Sequence, residues 1–152
     1  MTPELDRRAA KMSVVTHVLV IGLLGLAFLS GVAVWWGQTA GLVEDPELLI
    51  EVPPQWVRPV MVFHGCLFPF LCGIFGYLVT SHFHPGWKLK ANRVSGLLMD
   101  SVFLILIFSG VGLYYVGEGR EIVIWIHRLS GAATPVFLGL HWFVAYRWTK
   151  DI

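Results

Sequence analysis

Charge is what this sequence has least of. Asp, Glu, Lys and Arg make up 14% of its 152 residues, 56% are hydrophobic, and the mean hydropathy is +0.69. A soluble domain is about one quarter charged, so the balance excludes an ordinary water-soluble core and implies an all-α integral membrane protein. The formal net charge is +1, and the basic residues form no patch, which excludes nucleic acid as a partner. Cysteine is scarce: Cys66 and Cys72 stand six apart in one apolar segment, on different faces of a helix, and read as buried, inert thiols. With no Cys-x-x-Cys-His, covalent c-type haem attachment is excluded. Tandem repeats and low-complexity segments are also absent. The charged start (Glu4, Asp6, Arg7, Arg8, Lys11) lacks a convincing cleavage site after its long apolar run, so that run is expected to be retained as a helix.

Long apolar runs are what the chain does have. Four of them, at about 13–36, 58–80, 95–116 and 122–148, each reach the twenty or so residues that a bilayer core demands. Short connections between them predict one membrane domain over 1–152, an up-down-up-down four-helix bundle. Trp35 and Trp36 close the first span where an interfacial aromatic belt sits. Residues 37–57, with Glu44, Asp45, Glu47, Glu51 and Pro46, Pro53 and Pro54, are too polar to lie in lipid. Pro85-Gly86 is expected to stop the second helix.

The basic residues set the orientation. Arg7, Arg8, Lys11, Lys88, Lys90, Arg93, Arg147 and Lys150 fall on one side, and only Arg58, Arg120 and Arg128 on the other. By the positive-inside rule both termini and the second loop are cytoplasmic.

Ionisable residues inside a bilayer are rare and usually functional. His127 and His141 are fourteen residues apart in the fourth span, a rise of about 21 Å and a return to within about 40° of the same face. Depth sorts the rest. His64, two turns into the second span, matches His127 in the outer half, and His17, near the start of the first, matches His141 in the inner half. Each pair comes from different helices, as a flat macrocycle held from above and below requires, so two bis-histidine haem b groups are expected. His82 competes for the inner position, since eighteen residues return it to the face of His64. It lies about 27 Å further along a straight helix, which is too deep, so His17 is preferred and His82 is the runner-up. His82 and His84 otherwise read as interfacial residues solvated by headgroups and water.

Gly31 falls fourteen residues after His17, and it, Gly65, Gly73, Gly76, Gly131 and Gly139 offer room for a macrocycle edge, or simply close helix contacts. Arg128 is placed to neutralise a haem propionate, or to snorkel. Pro69 and Pro135 are expected to kink spans two and four. Asp100, the one carboxylate well inside a span, either relays protons to a quinone near the inner haem or pairs with Arg93.

On these residues, His17, His64 and the fourteen-residue pair His127 and His141, the chain resembles the di-haem cytochromes b that form membrane subunits of formate dehydrogenases and nickel-iron hydrogenases, with free-standing superoxide-oxidising relatives. The resemblance implies haem ligation by those four histidines. The expectation is transmembrane electron transfer to or from the quinone pool within a larger complex. Partner subunits bearing iron-sulfur clusters or c-type haems would dock on the outer face, using the acidic segment 37–57. Rival expectations are a self-contained oxidoreductase taking electrons from a small donor such as superoxide, and a non-redox metal or proton transporter or assembly factor.

Overall fold

The first span becomes helix α1, Val14–Thr39. The Ser13 hydroxyl accepts the Thr16 N–H at 3.1 Å, satisfying a donor that the first turn leaves without a partner. In this computed structural model, residues 12–45, 50–89 and 92–150 are described. Arg7, Arg8, Lys11 and Lys90, on which much of the charge asymmetry rests, lie outside them, as do Pro46 and Glu47. Four helical stretches are long and apolar enough to cross a membrane: Val14–Thr39, Val57–Lys88, Arg93–Tyr115 and Arg120–Arg147. The chain has the helices of a multi-pass membrane protein.

The polar connection after α1 is more ordered than expected. Val43–Asp45 (β1) and Ile50–Val52 (β2) pair antiparallel, with Glu44 opposite Glu51. The second span is longer than expected and is not one regular helix. It comprises α2 (Val57–Cys66), α3 (Phe68–Leu78), a π-helical turn (Val79–Phe83) and α4 (His84–Lys88). Pro69 has no N–H to offer, and the chain steps from α2 to α3 at Leu67, whose N–H is shared between Phe63 and His64 carbonyls at 3.3 and 3.2 Å. Pro85-Gly86 does not end the helix. Pro85 occupies the first turn of α4 and has no N–H to give to the turn before it. The π turn lies immediately before it, closed by the His84 N–H on the Val79 carbonyl five residues back.

Helix α5 runs from Arg93 to Tyr115 and α6 from Arg120 to Lys150. Asn92 opens α5 in the left-handed region at φ 48°, which asparagine tolerates better than most residues. Pro135 lies inside α6 without breaking it.

Helices α1 and α2 pack closely side by side, and so do α5 and α6; α1 also touches α3 and α6, and α3 touches α5. Side-chain contacts fix the register. Gly37 lies against Val57, and Gly112 against Val123, so each close pair is antiparallel. The buried apolar core is thin: Val20, Val57, Leu67, Met99, Val102 and Phe103, with Phe103 stacked on Phe75 at 5.5 Å. Leu29, Phe70, Phe108, Val136 and Trp142 stand outward, more than half exposed. Water would penalise that surface, whereas lipid covers it.

Candidate haem sites between the second and fourth spans

Two histidine pairs meet across the bundle. The rings of His64 and His127 have centroids 6.1 Å apart and planes at 86°. Those of His82 and His141 are 6.2 Å apart at 85°. The outer pair is the one expected from depth. The inner pair is not: the ring facing His141 is that of His82. His17 is exposed, and its Nδ1 lies 3.1 Å from the Ser13 carbonyl, one turn back on its own helix. The estimate that set His82 too deep assumes one regular α-helix, and the second span is not one. It steps at Leu67 and takes a π-helical turn at Val79–Phe83.

Three of these imidazoles are held in the same way. His64 Nδ1 lies 2.9 Å from Ser30 Oγ, His127 Nδ1 2.9 Å from Ser109 Oγ, and His141 Nδ1 3.1 Å from Ser95 Oγ. Each serine hydroxyl also lies against a carbonyl of its own preceding turn: Leu26 at 2.7 Å, Leu106 at 3.3 Å and Asn92 at 3.1 Å. A carbonyl can only accept, and a hydroxyl has one hydrogen. Both contacts are satisfied together when the hydroxyl donates to the carbonyl and accepts from Nδ1–H. That tautomer leaves the lone pair on Nε2, the atom turned away from the serine.

Beside each serine is a glycine, and the ring lies over it. A Cβ at Gly31 would stand 3.2 Å from His64 Cε1, one at Gly110 3.5 Å from His127 Cε1, and one at Gly96 4.0 Å from His141 Cε1. Ser30-Gly31, Ser95-Gly96 and Ser109-Gly110 are thus three copies of one seat for an imidazole. The separation of Ser95 from Ser109 equals that of His127 from His141, so antiparallel α5 and α6 bring both matches into register at once. Of the other glycines expected to give room, Gly65 faces the Tyr114 hydroxyl and Gly131 faces Leu106, while Gly73, Gly76 and Gly139 have nothing within 4 Å.

The pair geometry fits a transition metal that brings its own equatorial ligands. Two imidazole nitrogens about 2.0 Å from one ion, each roughly 1.1 Å from its ring centroid, put the centroids about 6.2 Å apart. No group of three or more His, Cys, Asp or Glu converges among the described residues. Each pair offers two imidazoles, the number that a bis-histidine haem would take from protein.

No family model, curated protein or solved structure matches the chain.

The surroundings differ between the two ends. Next to His127 in sequence, Arg128 donates from Nη2 to Gln38 Oε1 at 2.9 Å, and its guanidinium lies 5.5 Å from the Trp35 ring and 5.9 Å from Trp125. Those two indoles meet edge to face at 6.2 Å. A guanidinium has five N–H donors, and this contact to Gln38 uses one of them. Asp100 is half-buried and does not pair with Arg93. The Arg93 guanidinium instead donates twice to the Trp87 carbonyl, at 3.0 and 2.7 Å, and lies 4.8 Å above the Trp87 ring. His84 is exposed, in keeping with an interfacial position. Cys66 is exposed and Cys72 half-buried, both as free thiols, so burial does not account for Cys66 as expected.

Proposed function

We propose that this chain is a membrane cytochrome holding two haem b groups, one between His64 and His127 and one between His82 and His141, that moves electrons across a bilayer. The observation that carries this reading is the pair of matched ring separations, 6.1 and 6.2 Å, on helices that pack mainly with other neighbours. Support also comes from Nδ1 being engaged by serine at three of the four rings, which leaves the Nε2 lone pair of those rings to ligate a metal. A haem with imidazole on both faces is a one-electron carrier without an open iron position. The protein's own part is to hold each ring, to exclude water with apolar helix faces, and to set the two sites apart. Fourteen residues of α6 separate them, a rise of about 21 Å.

In this reading the bundle is up-down-up-down in a bacterial inner membrane, with both termini cytoplasmic. Arg128, released in part from Gln38, neutralises a propionate of the outer haem. Asp100 serves proton transfer for a quinone near the inner one. The hairpin carboxylates Glu44 and Glu51 form an acidic outer surface suited to a partner subunit carrying iron-sulfur clusters or c-type haems. A self-contained oxidoreductase for a small anion such as superoxide fits less well. Arg128 is drawn to Gln38, and Arg120 Nε donates to the Leu113 carbonyl, so these cations do not converge on one funnel.

A reduced-minus-oxidised spectrum of the purified protein, with a haem-to-chain ratio, tests the proposal. Two haems per chain and a b-type α-band are expected. Absence of the band would leave a non-redox transporter or assembly factor. Co-purified large subunits would favour the complex over the self-contained enzyme.

A further inference from the structure

Ser30, Ser95 and Ser109 each meet the Nδ1 of one histidine at the two sites. We infer that they are positioning residues that set the electron-donating strength of the imidazoles, site by site. The inference rests on the two-haem reading above. Ser30 and Ser109 act on the outer site through His64 and His127, and Ser95 acts on the inner site through His141.

The argument is chemical. A histidine ligand whose second nitrogen donates a hydrogen bond is more basic and more firmly oriented than one that does not. Each serine oxygen is itself polarised, because its hydrogen is directed at a backbone carbonyl at 2.7, 3.3 or 3.1 Å. A polarised oxygen accepts more strongly, and hydrogen bonds in series reinforce one another at low dielectric. The carbonyl, hydroxyl and imidazole therefore form a short relay at each ring, pushing electron density toward Nε2. Density at the axial nitrogen stabilises the oxidised, more positive iron, so each relay lowers the midpoint potential of its own site. The outer site has a serine relay at both rings.

Helix packing alone does not require this arrangement. Serine in an apolar helix commonly donates to the carbonyl of its own preceding turn, as Ser101 and Ser130 do, each to a carbonyl four residues back. Neither of those two hydroxyls is hydrogen-bonded to a histidine among the described residues, whereas Ser30, Ser95 and Ser109 are buried and each carries an imidazole as well.

The test compares Ser109→Ala, Ser30→Ala and Ser95→Ala with Ser→Thr at the same positions, in the full chain purified with its haem. The readouts are haem content, the two midpoint potentials from a redox titration, and the low-spin electron paramagnetic resonance signals. The Ser109 and Ser30 alanine variants are expected to raise the outer potential and leave the inner one in place. Ser95→Ala is expected to raise the inner potential alone, and threonine, which keeps the hydroxyl, to hold the wild-type values. Loss of one haem in an alanine variant with recovery in the threonine variant also supports positioning. Potentials and signals unchanged in all three alanine variants, with both haems bound, overturn the inference. So does a fall in potential, or an equal shift of both sites. A wild-type protein without haem overturns the two-haem reading itself, which separates the two failures.

Discussion

Alanine at five glycines places one methyl group at a defined distance from its neighbours, and the structure ranks the consequences. At Gly37 the new Cβ overlaps Val57 Cγ2 and comes within 2.9 Å of Trp56 Cη2. Val57 is 4% exposed and cannot move aside. At Gly31 the contact is 3.2 Å to His64 Cε1, and that ring is tethered to the neighbouring Ser30. At Gly110 and Gly96 the distances are 3.5 and 4.0 Å, which are ordinary contacts. At Gly65 the distance is only 2.7 Å, but to the hydroxyl of Tyr114, which is 77% exposed and free to swing. Overpacking costs about 1–3 kcal/mol, while replacing glycine by alanine in a helix contributes up to about 1 kcal/mol in the other direction. Gly37→Ala should therefore lose roughly 1–2 kcal/mol, or a few degrees in Tm for a chain of this size. Gly31→Ala should come close to balance in stability but displace the His64 ring. Gly110→Ala, Gly96→Ala and Gly65→Ala should be neutral or slightly stabilising. Thermal unfolding in detergent, followed by far-ultraviolet circular dichroism beside the haem absorbance, checks both. Gly65→Ala proving as damaging as Gly37→Ala, or Gly96→Ala worse than Gly31→Ala, would refute the packing on which the sites are built.

Three further outcomes are expected. His82→Ala should reduce the haem content from two to one and His17→Ala should leave it at two, measured by pyridine haemochrome; the reverse result restores His17 to the inner site. Arg128→Leu removes a guanidinium held by Gln38 and two indoles, and should lower thermal stability by on the order of 1 kcal/mol, with Arg128→Lys recovering only part because an ammonium lacks the planar fork. Unchanged melting of Arg128→Leu would show the cluster to be incidental. Glu51→Lys replaces a like-charge cross-strand pair with Glu44 by an opposite one and should stabilise the hairpin by roughly 0.2–1 kcal/mol. The gain should shrink as salt is added, and a salt-independent gain would assign it to something other than charge.

How much of this was legible in the sequence depends on whether a feature follows from composition, from straight-helix arithmetic or from packing. The four apolar spans needed only hydropathy and length, and α1, α5 and α6 begin and end within about three residues of where those place them. The meeting of His64 with His127 followed from counting turns from the outer ends of parallel-running spans. The hairpin was hidden because its strands are three residues each and carry acids, which do not read as β-structure. Arithmetic that treats 18 residues as about 27 Å of rod favours His17 beside His141, whereas the ring that meets it is that of His82. Two prolines in the second span, Pro69 and Pro85, were the warning. Each forbids a regular bond four residues back, and the chain answers with a step at one and a π turn at the other.

The serine seats were legible in principle and show what kind of regularity was available. Histidine spacing within one helix says how far apart two sites are, but not which neighbour completes them. A second spacing of the same length on an adjacent helix does say so, because antiparallel helices align residues whose numbers have a constant sum. Ser95 with His141 and Ser109 with His127 share one sum, and Ser30 with His64 and Gly37 with Val57 share another on the other close pair. The recurring Ser-Gly dipeptide therefore carried the register of both helix pairs as well as the chemistry at the rings. Serine supplies an acceptor for Nδ1–H, and glycine leaves the space in which the ring lies. Substituting a seat serine, or Gly31, leaves span hydropathy and length almost untouched. It should then disturb one histidine while the fold remains, which is why the serine and glycine variants, more than deletion of the histidines, separate holding an imidazole from merely building the bundle.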